Sequence, residues 1–544
     1  MIIQNKEKYI KLFEEIASKK EWEKDSLNKI LRKYKDYNGK ILRNDELVEV
    51  YEELVRSNYL QEKKIIQERI RLRPTRSNSG VTVVTVLTKP FPCPGKCIYC
   101  PNDVCMPKSY ISSEPGAQRA LASKFDPYAQ VYNRLIALKN IGHNIEKVEL
   151  IILGGTWSVY PLDYKLWFVN QCYCALNDIS KDTKEYVEPR DNGFEKTTWE
   201  DLEKNQRKNE TAYCRNVGLV FETRPDYISE REVIEMRKFG ATKVQIGIQS
   251  LSDKILEMNH IGRSVDSAKN AFSLLRRAGF KIHGHWMPNL YGSTVKDDIS
   301  DFKKLFGKDF CPDELKIYPT SVIPNTELAS LYREGLHIPY SEKELVEVLS
   351  KTIPLTPRYC RLSRIIRDIP SSEIEAGNKK TNLRQIVEQE LERRRIKVND
   401  IRSREIKGES IEWKGVVLEK LEYKTSVSDE IFISYKTKKT DRICGFLRLS
   451  IPKKDLIANN FIEELNNGSI IREVHVYGKV VGIEEESNGE SQHLGLGKSL
   501  VNAAEEITKK RKLKKISVIS AIGTRKYYEK LGYTKEELYM FKNI

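Results

Sequence analysis

Three cysteines fall within eight residues, Cys93-Pro94-Gly95-Lys96-Cys97-Ile98-Tyr99-Cys100, in the spacing C-x3-C-x2-C. Three thiolates can hold three irons of a 4Fe–4S cube and leave the fourth iron open to a further ligand. S-adenosylmethionine can chelate such an iron through its amino and carboxylate groups, and Tyr99 would then pack near the adenine. The rival reading is a structural zinc knuckle, which wants a fourth ligand. Cys105 is the nearest candidate, and no histidine lies close by. The remaining six cysteines, Cys172, Cys174, Cys214, Cys311, Cys360 and Cys444, are scattered and read as buried thiols.

A second chemical centre lies far downstream. Gln492-His493-Leu494-Gly495-Leu496-Gly497-Lys498 has the form Q-x-x-G-x-G ahead of a helical stretch. Free N–H groups and the dipole at a helix N-terminus suit a pyrophosphate, and glycines allow close approach. A dinucleotide fold would need the G-x-G-x-x-G spacing, which is missing. Upstream, the edge of the strand Glu473-Val474-His475-Val476 can pair with amides of a pantetheine arm. Downstream, Tyr527 and Tyr528 follow Gly523-Thr524 at a distance from which a tyrosine reaches a CoA sulfur. Acetyl-CoA is the ligand this half suggests.

The elements that must position the cysteines form a repeating pattern. Val81–Leu87, Val148–Leu153, Val217–Glu222, Lys243–Ile248, Lys281–Met287 and Glu314–Tyr318 are short apolar runs. Helical stretches such as Pro127–Ile141, Glu230–Phe239, Val265–Ala278 and Val295–Leu305 separate them. Six strands alternating with helices predict parallel pairing with right-handed crossovers. The fold class is therefore α/β, with a partial (β/α)6 barrel, since a full barrel closes with eight strands.

The cysteines follow the first strand, where barrel chemistry sits. The other strand ends are polar: Gly154-Gly155-Thr156, Glu222-Thr223-Arg224-Pro225-Asp226, Gln249-Ser250 and Lys316-Ile317-Tyr318-Pro319. Gly154 and Gly155 allow a backbone edge to approach the cofactor amine, and Glu222 can accept from a ribose hydroxyl or that amine. Gln249 is a further polar strand end, and Lys316 and Tyr318 are candidate catalytic groups. His283 reads as a satisfied core polar group.

Around this unit the boundaries fall at 1–75 (helical and basic), 76–350 (barrel), 351–411 (basic linker) and 412–544 (strands, helix, strand). The first region has helical spacing at Lys6–Ser18, Asp25–Lys35 and Asp45–Ser57, then Arg69, Arg71, Arg73 and Arg76 around Pro74. Arginines at alternating positions fit an extended arm along phosphates; a solvated linker explains them equally well. Residues 358–404 hold 13 basic against 7 acidic residues, and Arg364, Arg367, Arg402 and Arg404 are candidate phosphate contacts. Residues 180–212 read as a polar insertion.

Over the whole chain of 544 residues, 93 Lys and Arg face 77 Asp and Glu, a net charge of +16 that favours a polyanionic partner. No run of 18 apolar residues predicts a membrane span, and no apolar signal core opens the chain, so a cytoplasmic protein is expected.

These motifs together resemble the catalytic subunit of Elongator in its archaeal form, a radical S-adenosylmethionine family carrying an acetyltransferase (GNAT-type) domain. The elements that carry the resemblance are Cys93/Cys97/Cys100, Leu153–Thr156, Glu222–Asp226, Leu315–Thr320, Arg367–Pro370, Arg472–Gly478 and Gly523–Tyr528. The resemblance implies carboxymethylation at carbon 5 of the wobble uridine of tRNA, position 34, with acetyl-CoA as carbon source. It implies that a reduced cluster cleaves S-adenosylmethionine, that the resulting radical activates the acetyl methyl group, and that thioester hydrolysis releases CoA. It places acetyl-CoA contacts on Lys147, Glu473 to Val476, Leu496 to Lys498 and Tyr528. It further implies the tRNA anticodon stem-loop and an electron donor as partners, without requiring other Elongator-type subunits, and leaves a homodimer open. A protein-lysine acetyltransferase with the barrel as scaffold is the alternative activity.

Overall fold

The computed structural model describes residues 6–23, 25–35, 41–71, 80–190, 194–406, 411–477, 480–481 and 491–544, with backbone alone at 411–413, 480–481 and 491–494. Four helices, Lys6–Ser18, Ser26–Leu31, Asn44–Arg56 and Lys64–Ile70, form the N-terminal unit. Their apolar stripes close a small core of Leu12, Phe13, Ile16, Leu47, Tyr51, Leu54, Ile66 and Ile70. Among the described residues, no helix is long and apolar enough to cross a membrane.

The barrel sheet runs β1 (Thr82–Leu87), β2 (Lys147–Leu153), β3 (Arg215–Thr223), β4 (Lys243–Gln249), β5 (Lys281–Trp286), β6 (Glu314–Ile317) and β7 (Arg361–Arg364), all parallel and in chain order. All six predicted strands are present. The seventh lies in the segment expected to be a linker. Of Arg361-Leu362-Ser363-Arg364 only Leu362 is buried, so this strand shows no apolar run to find. The expected insertion carries a helix, Trp199–Asn209, which begins with a Thr198/Asp201 capping box.

A short parallel pair joins β8 (Ile411–Glu412) to β13 (Val480–Val481). The second sheet is mixed. It contains β9 (Val416–Lys424), β10 (Ser428–Thr437), β11 (Ile443–Pro452), β12 (Gly468–Val476), β14 (Lys515–Val518), β15 (Thr534–Lys535) and β16 (Met540–Asn543), in the order β15-β16-β14-β12-β11-β10-β9. The helix Ser491–Lys510 packs Leu496, Leu500, Val501 and Ala504 onto it.

The second sheet docks under the N-terminal ends of the barrel strands. Phe432, Phe446, Ile470, Ile519, Ile522 and Tyr539 belong to the same continuous apolar core as the barrel. Two glycines make this fit. A Cβ on Gly279 would lie 2.2 Å from Ile470 Cδ1, and one on Gly523 would lie 2.8 Å from the Asn216 carbonyl oxygen. Tyr539 donates to the Ala278 carbonyl at 2.7 Å, and Arg525 pairs with Glu210 at 3.0 Å.

Candidate functional site

The loop after β1 holds Cys93, Cys97 and Cys100, all half-buried, whereas Cys105 is exposed. The three thiols line one large cavity with Gly155, Glu222, Gln249, Lys316 and Tyr318 from the ends of β2, β3, β4 and β6. Parallel strands in sequential order bring these ends together, as expected for such a sheet. Gly154 has φ +142°, and a Cβ there would lie 1.7 Å from Thr88 Oγ1, so no other residue fits this corner. Gln249 also has positive φ, +54°, and its Oε1 accepts from Arg263 at 2.8 Å.

The donor set suits a thiolate-bound cluster. A hydrogen bond with Cys100, helped by Tyr99 and by the charges of Arg224 and Arg263, holds the Cys97 thiol down to about 6 against the effect of burial. Arg224 is fixed by Asp226 at 2.8 Å and by the Ile261 carbonyl at 2.9 Å. A Cβ on Gly95 would lie 2.4 Å from its Nη1, so the glycine makes room for this guanidinium. Among the described residues no three His, Cys, Asp or Glu converge as they would around a single ion.

Below the rim the barrel interior is polar. Gln245 Oε1 accepts from Lys316 Nζ at 2.5 Å and lies 3.1 Å from His285 Nε2. Glu222 accepts from Tyr110 at 3.0 Å and lies 3.7 Å from His285 Nδ1. Burial pulls the Lys316 ammonium down to about 8, with Glu222 opposing. One layer deeper, Lys243 pairs with Glu149 at 2.7 Å and Glu314 at 3.4 Å. Lys281 then bridges Glu314, at 3.2 Å, to Glu473 of the second sheet, at 2.6 Å. His283 is buried, with Nε2 2.8 Å from Ser363 and Nδ1 3.3 Å from Glu314, but among the described residues Nδ1 has no hydrogen bond and the residue lines the cavity, so it is not the fully satisfied core group expected.

The same cavity, about 2540 Å³, continues to the second sheet, where Lys147, Glu473, Val474, His475, Val476, Gly497, Tyr527 and Tyr528 line it. The strand β12 pairs with β14 only over 468–471 and with β11 up to Val476, so among the described residues no strand pairs with the other edge of residues 472–476. A Cβ on Gly497 would lie 2.7 Å from the Tyr527 hydroxyl. Tyr528, expected beside the thioester, packs its ring in the second core against Tyr527 and Tyr533 and still borders the cavity. Burial raises both phenols, Tyr527 to about 12.

Several expected contacts take other partners. The helix starts at Ser491, so Gly495, Leu496, Gly497 and Lys498 lie inside it and not ahead of it. Their N–H groups are engaged within the helix, and the open donors belong to its first four residues. The side chain of Gln492 lies outside the described residues. Arg69 sits on the helix Lys64–Ile70, donates to the carbonyls of Ile16 and Ala17, and stacks 4.5 Å over Trp22. It is a clasp of the N-terminal unit and not part of an extended arm, because Ile66 and Ile70, one turn apart, are buried and keep this segment helical.

Arg71 donates to the Gly142 carbonyl at 2.9 Å, which ties that unit to the barrel. Arg73 and Arg76 lie outside the described residues. Arg404 is buried against Asp441, at 3.2 Å, and is not available to phosphate. Arg364, Arg367 and Arg402 do border the cavity. Arg364 is paired with Asp368 at 2.6 Å, Arg367 with Glu114 at 2.8 Å, and Arg402 with the Ser363 carbonyl at 2.7 Å. His285 stands on the fifth strand predicted from the sequence, whereas Arg263 and Gln245 carry no signal of residue type or spacing. Arg224 stood inside a recognised motif, but only the fold carries it to the cysteine loop.

The fold and this rim define a radical S-adenosylmethionine protein: the sequence signature of the Radical SAM superfamily matches residues 92–303, and that of the Radical_SAM C-terminal domain residues 312–393. The chain belongs to the family of the tRNA uridine(34) acetyltransferases and Elongator complex protein 3. It is 37% identical to the tRNA uridine(34) acetyltransferase of Methanocaldococcus infernus, over 95% of this chain and 98% of that one. It is 33% identical to human Elongator complex protein 3, over 89% and 88%. The solved structure of the archaeal Methanocaldococcus infernus Elp3 with an N-terminal deletion (1–46) matches with a TM-score of 0.71 and 35% identity, over 86% of this chain and 99% of that one.

Proposed function

We propose that the protein modifies the wobble uridine of tRNA, adding a carboxymethyl group at carbon 5 with acetyl-CoA as carbon source. The observation that carries this reading is the shared cavity, which is lined at one end by Cys93, Cys97 and Cys100 and at the other by the edge of β12 that no described strand pairs. The names borne by the relatives, tRNA uridine(34) acetyltransferase, agree with a tRNA substrate and an acyl donor.

Cys93, Cys97 and Cys100 would hold a 4Fe–4S cluster, which would supply the electron for reductive cleavage of S-adenosylmethionine. Around it, the Gly154–Gly155 backbone and Glu222 hold the cofactor's polar groups, and the hydrogen bond with Cys100, helped by Tyr99, Arg224 and Arg263, favours the Cys97 thiolate. Lys316 Nζ, whose charge is weakened by burial, carries a proton to or from the reacting base, with Gln245 fixing its position. Tyr318 forms the neighbouring wall, 5.7 Å from His285 by ring centroids. At the other end, the amides on that edge of β12 hold the pantetheine arm, Tyr527 covers Gly497, and Lys147 meets CoA phosphates. The barrel walls exclude water from the radical step.

The test is anaerobic reconstitution with iron and sulfide, followed by dithionite as reductant, tRNA, S-adenosylmethionine and acetyl-CoA. The expected result is a tRNA that gains the mass of one carboxymethyl group at uridine 34. Acetylation of a lysine peptide with no change in tRNA would overturn the reading in favour of a protein acetyltransferase.

A further inference from the structure

A cluster that must be reduced before it can cleave S-adenosylmethionine needs a place where electrons enter. The cavity is the substrate side, and its lining includes neither Lys89, Phe91, Arg190 nor Phe194. These residues form a separate face behind the cysteine loop. Phe91 is 38% exposed and Phe194 is 51% exposed, unusual for phenylalanine. Phe91 packs 4.9 Å from Tyr160, Tyr160 lies 5.2 Å from Tyr164, and Tyr164 lies 6.4 Å from Phe194. Trp167 closes the group, 6.3 Å from Phe194.

This aromatic layer backs directly onto the first cysteine. Only Pro92 separates Phe91 from Cys93, a span of at most about 7 Å. Cys93 Sγ lies 3.8 Å from Thr156 Oγ1. A shallow depression beside the layer is lined by Lys89, Lys124, Arg190 and Trp167, with Asp126 and Glu195 as its acids. Asp126 accepts from the Tyr128 and Arg190 amides and keeps its charge, so the lining holds three cations, Lys89, Lys124 and Arg190, against two acids.

The geometry points to this face as the docking site of the electron donor, a small acidic iron–sulfur or flavin protein. The assignment rests on Cys93 holding the cluster, as proposed above. An exposed apolar pair beside Lys89, Lys124 and Arg190 matches an acidic partner with an apolar rim around its redox centre. A short-lived redox encounter needs only a small interface. On each encounter the donor is oxidised by one electron and the cluster is reduced by one, with no proton transferred.

The experiment compares two reductants on the reconstituted full-length protein with tRNA and S-adenosylmethionine, reading 5′-deoxyadenosine. One arm uses dithionite and the other reduced flavodoxin. In Lys89→Glu/Lys124→Glu, and separately in Phe194→Ser, the flavodoxin-driven rate is expected to fall at least tenfold at low salt while the dithionite-driven rate is unchanged. The wild-type flavodoxin rate should itself fall as salt rises. An unchanged flavodoxin-driven rate overturns the assignment, and so does an equal fall in both arms, which marks a structural role. Loss of tRNA affinity in the lysine variant overturns it in favour of an RNA surface. Dithionite failing to drive the wild type would overturn the cluster reading itself, and the docking site with it.

Discussion

Arg472 on β12 meets Asp313, just before β6, through two parallel bonds of 2.7 and 2.6 Å, with both side chains fully buried. Burial alone would raise the Asp313 carboxyl. The charges of Arg472, Arg448 and Arg276 outweigh it and hold the group well below the usual carboxylate range. Removing one partner strands the other charges in the joint between sheet and barrel. Asp313→Ala is expected to cost about 3–5 kcal/mol in urea unfolding, and Asp313→Leu/Arg472→Met to cost less than Asp313→Ala alone. Because the folded carboxyl is depressed, the pair's contribution is present above about pH 4 and is lost as pH falls through the folded value. A wild type whose stability is flat through that acid range would contradict this account.

Lys316 should trade stability for chemistry. Its ammonium is pulled from the ordinary 10.5 to about 8, so below pH 8 the fold carries a charging penalty, which is relieved as pH rises from 8 towards 10.5. At 1.36 kcal/mol per unit this is at most roughly 3 kcal/mol, and the bond to Gln245 offsets part of it. Lys316→Met is expected to be about 1–2 kcal/mol more stable than wild type at pH 7 by thermal or urea unfolding, and to lose tRNA product formation. The rate of the wild type, read as product per minute under saturating cofactors, should bend near pH 8, and the bend should be absent from any residual activity of the variant.

Cys97→Ala is expected to lower iron and labile sulfide after anaerobic reconstitution and to abolish 5′-deoxyadenosine formation. tRNA affinity, measured by filter binding or fluorescence anisotropy, should stay within about threefold of wild type, because the thiol is not a phosphate contact. Retained cleavage of S-adenosylmethionine would remove this residue from the ligand set.

Arg69 and Arg71 are predicted to differ from an electrostatic arm. Arg69→Gln should destabilise the N-terminal helices by about 1–2 kcal/mol through the lost carbonyl bonds and should leave the salt dependence of tRNA binding untouched. A salt slope lower by about one unit would show instead that its guanidinium reaches phosphate.

The barrel was legible because apolar runs such as Val148–Leu153 and Lys243–Ile248 need no partner to declare themselves. The strand β7 was hidden because Arg361, Ser363 and Arg364 serve the cavity and the second sheet while Leu362 alone faces the core. The cysteine loop and Gly154 were readable from residue type and spacing. The polar interior was not. Gln245, His285 and Lys281 gain their meaning only when four strands bring them within hydrogen-bonding range, a relationship that spans about 170 residues of chain between Glu149 and Lys316. The helix start at Ser491 was misplaced because glycines usually mark a turn, whereas Leu496 and Leu500 hold these inside a packed helix.

Ile470 occupies the space that a side chain at Gly279 would need, and Gly523 lies against the backbone at Asn216. The joint is thus moulded atom to atom at these two positions. A domain transplanted from a cousin would bring the knob without its matching socket, so the halves cannot be shuffled as independent parts. Substitutions on either side of the seam must be accepted in pairs, which favours inheritance of both catalytic halves on one gene.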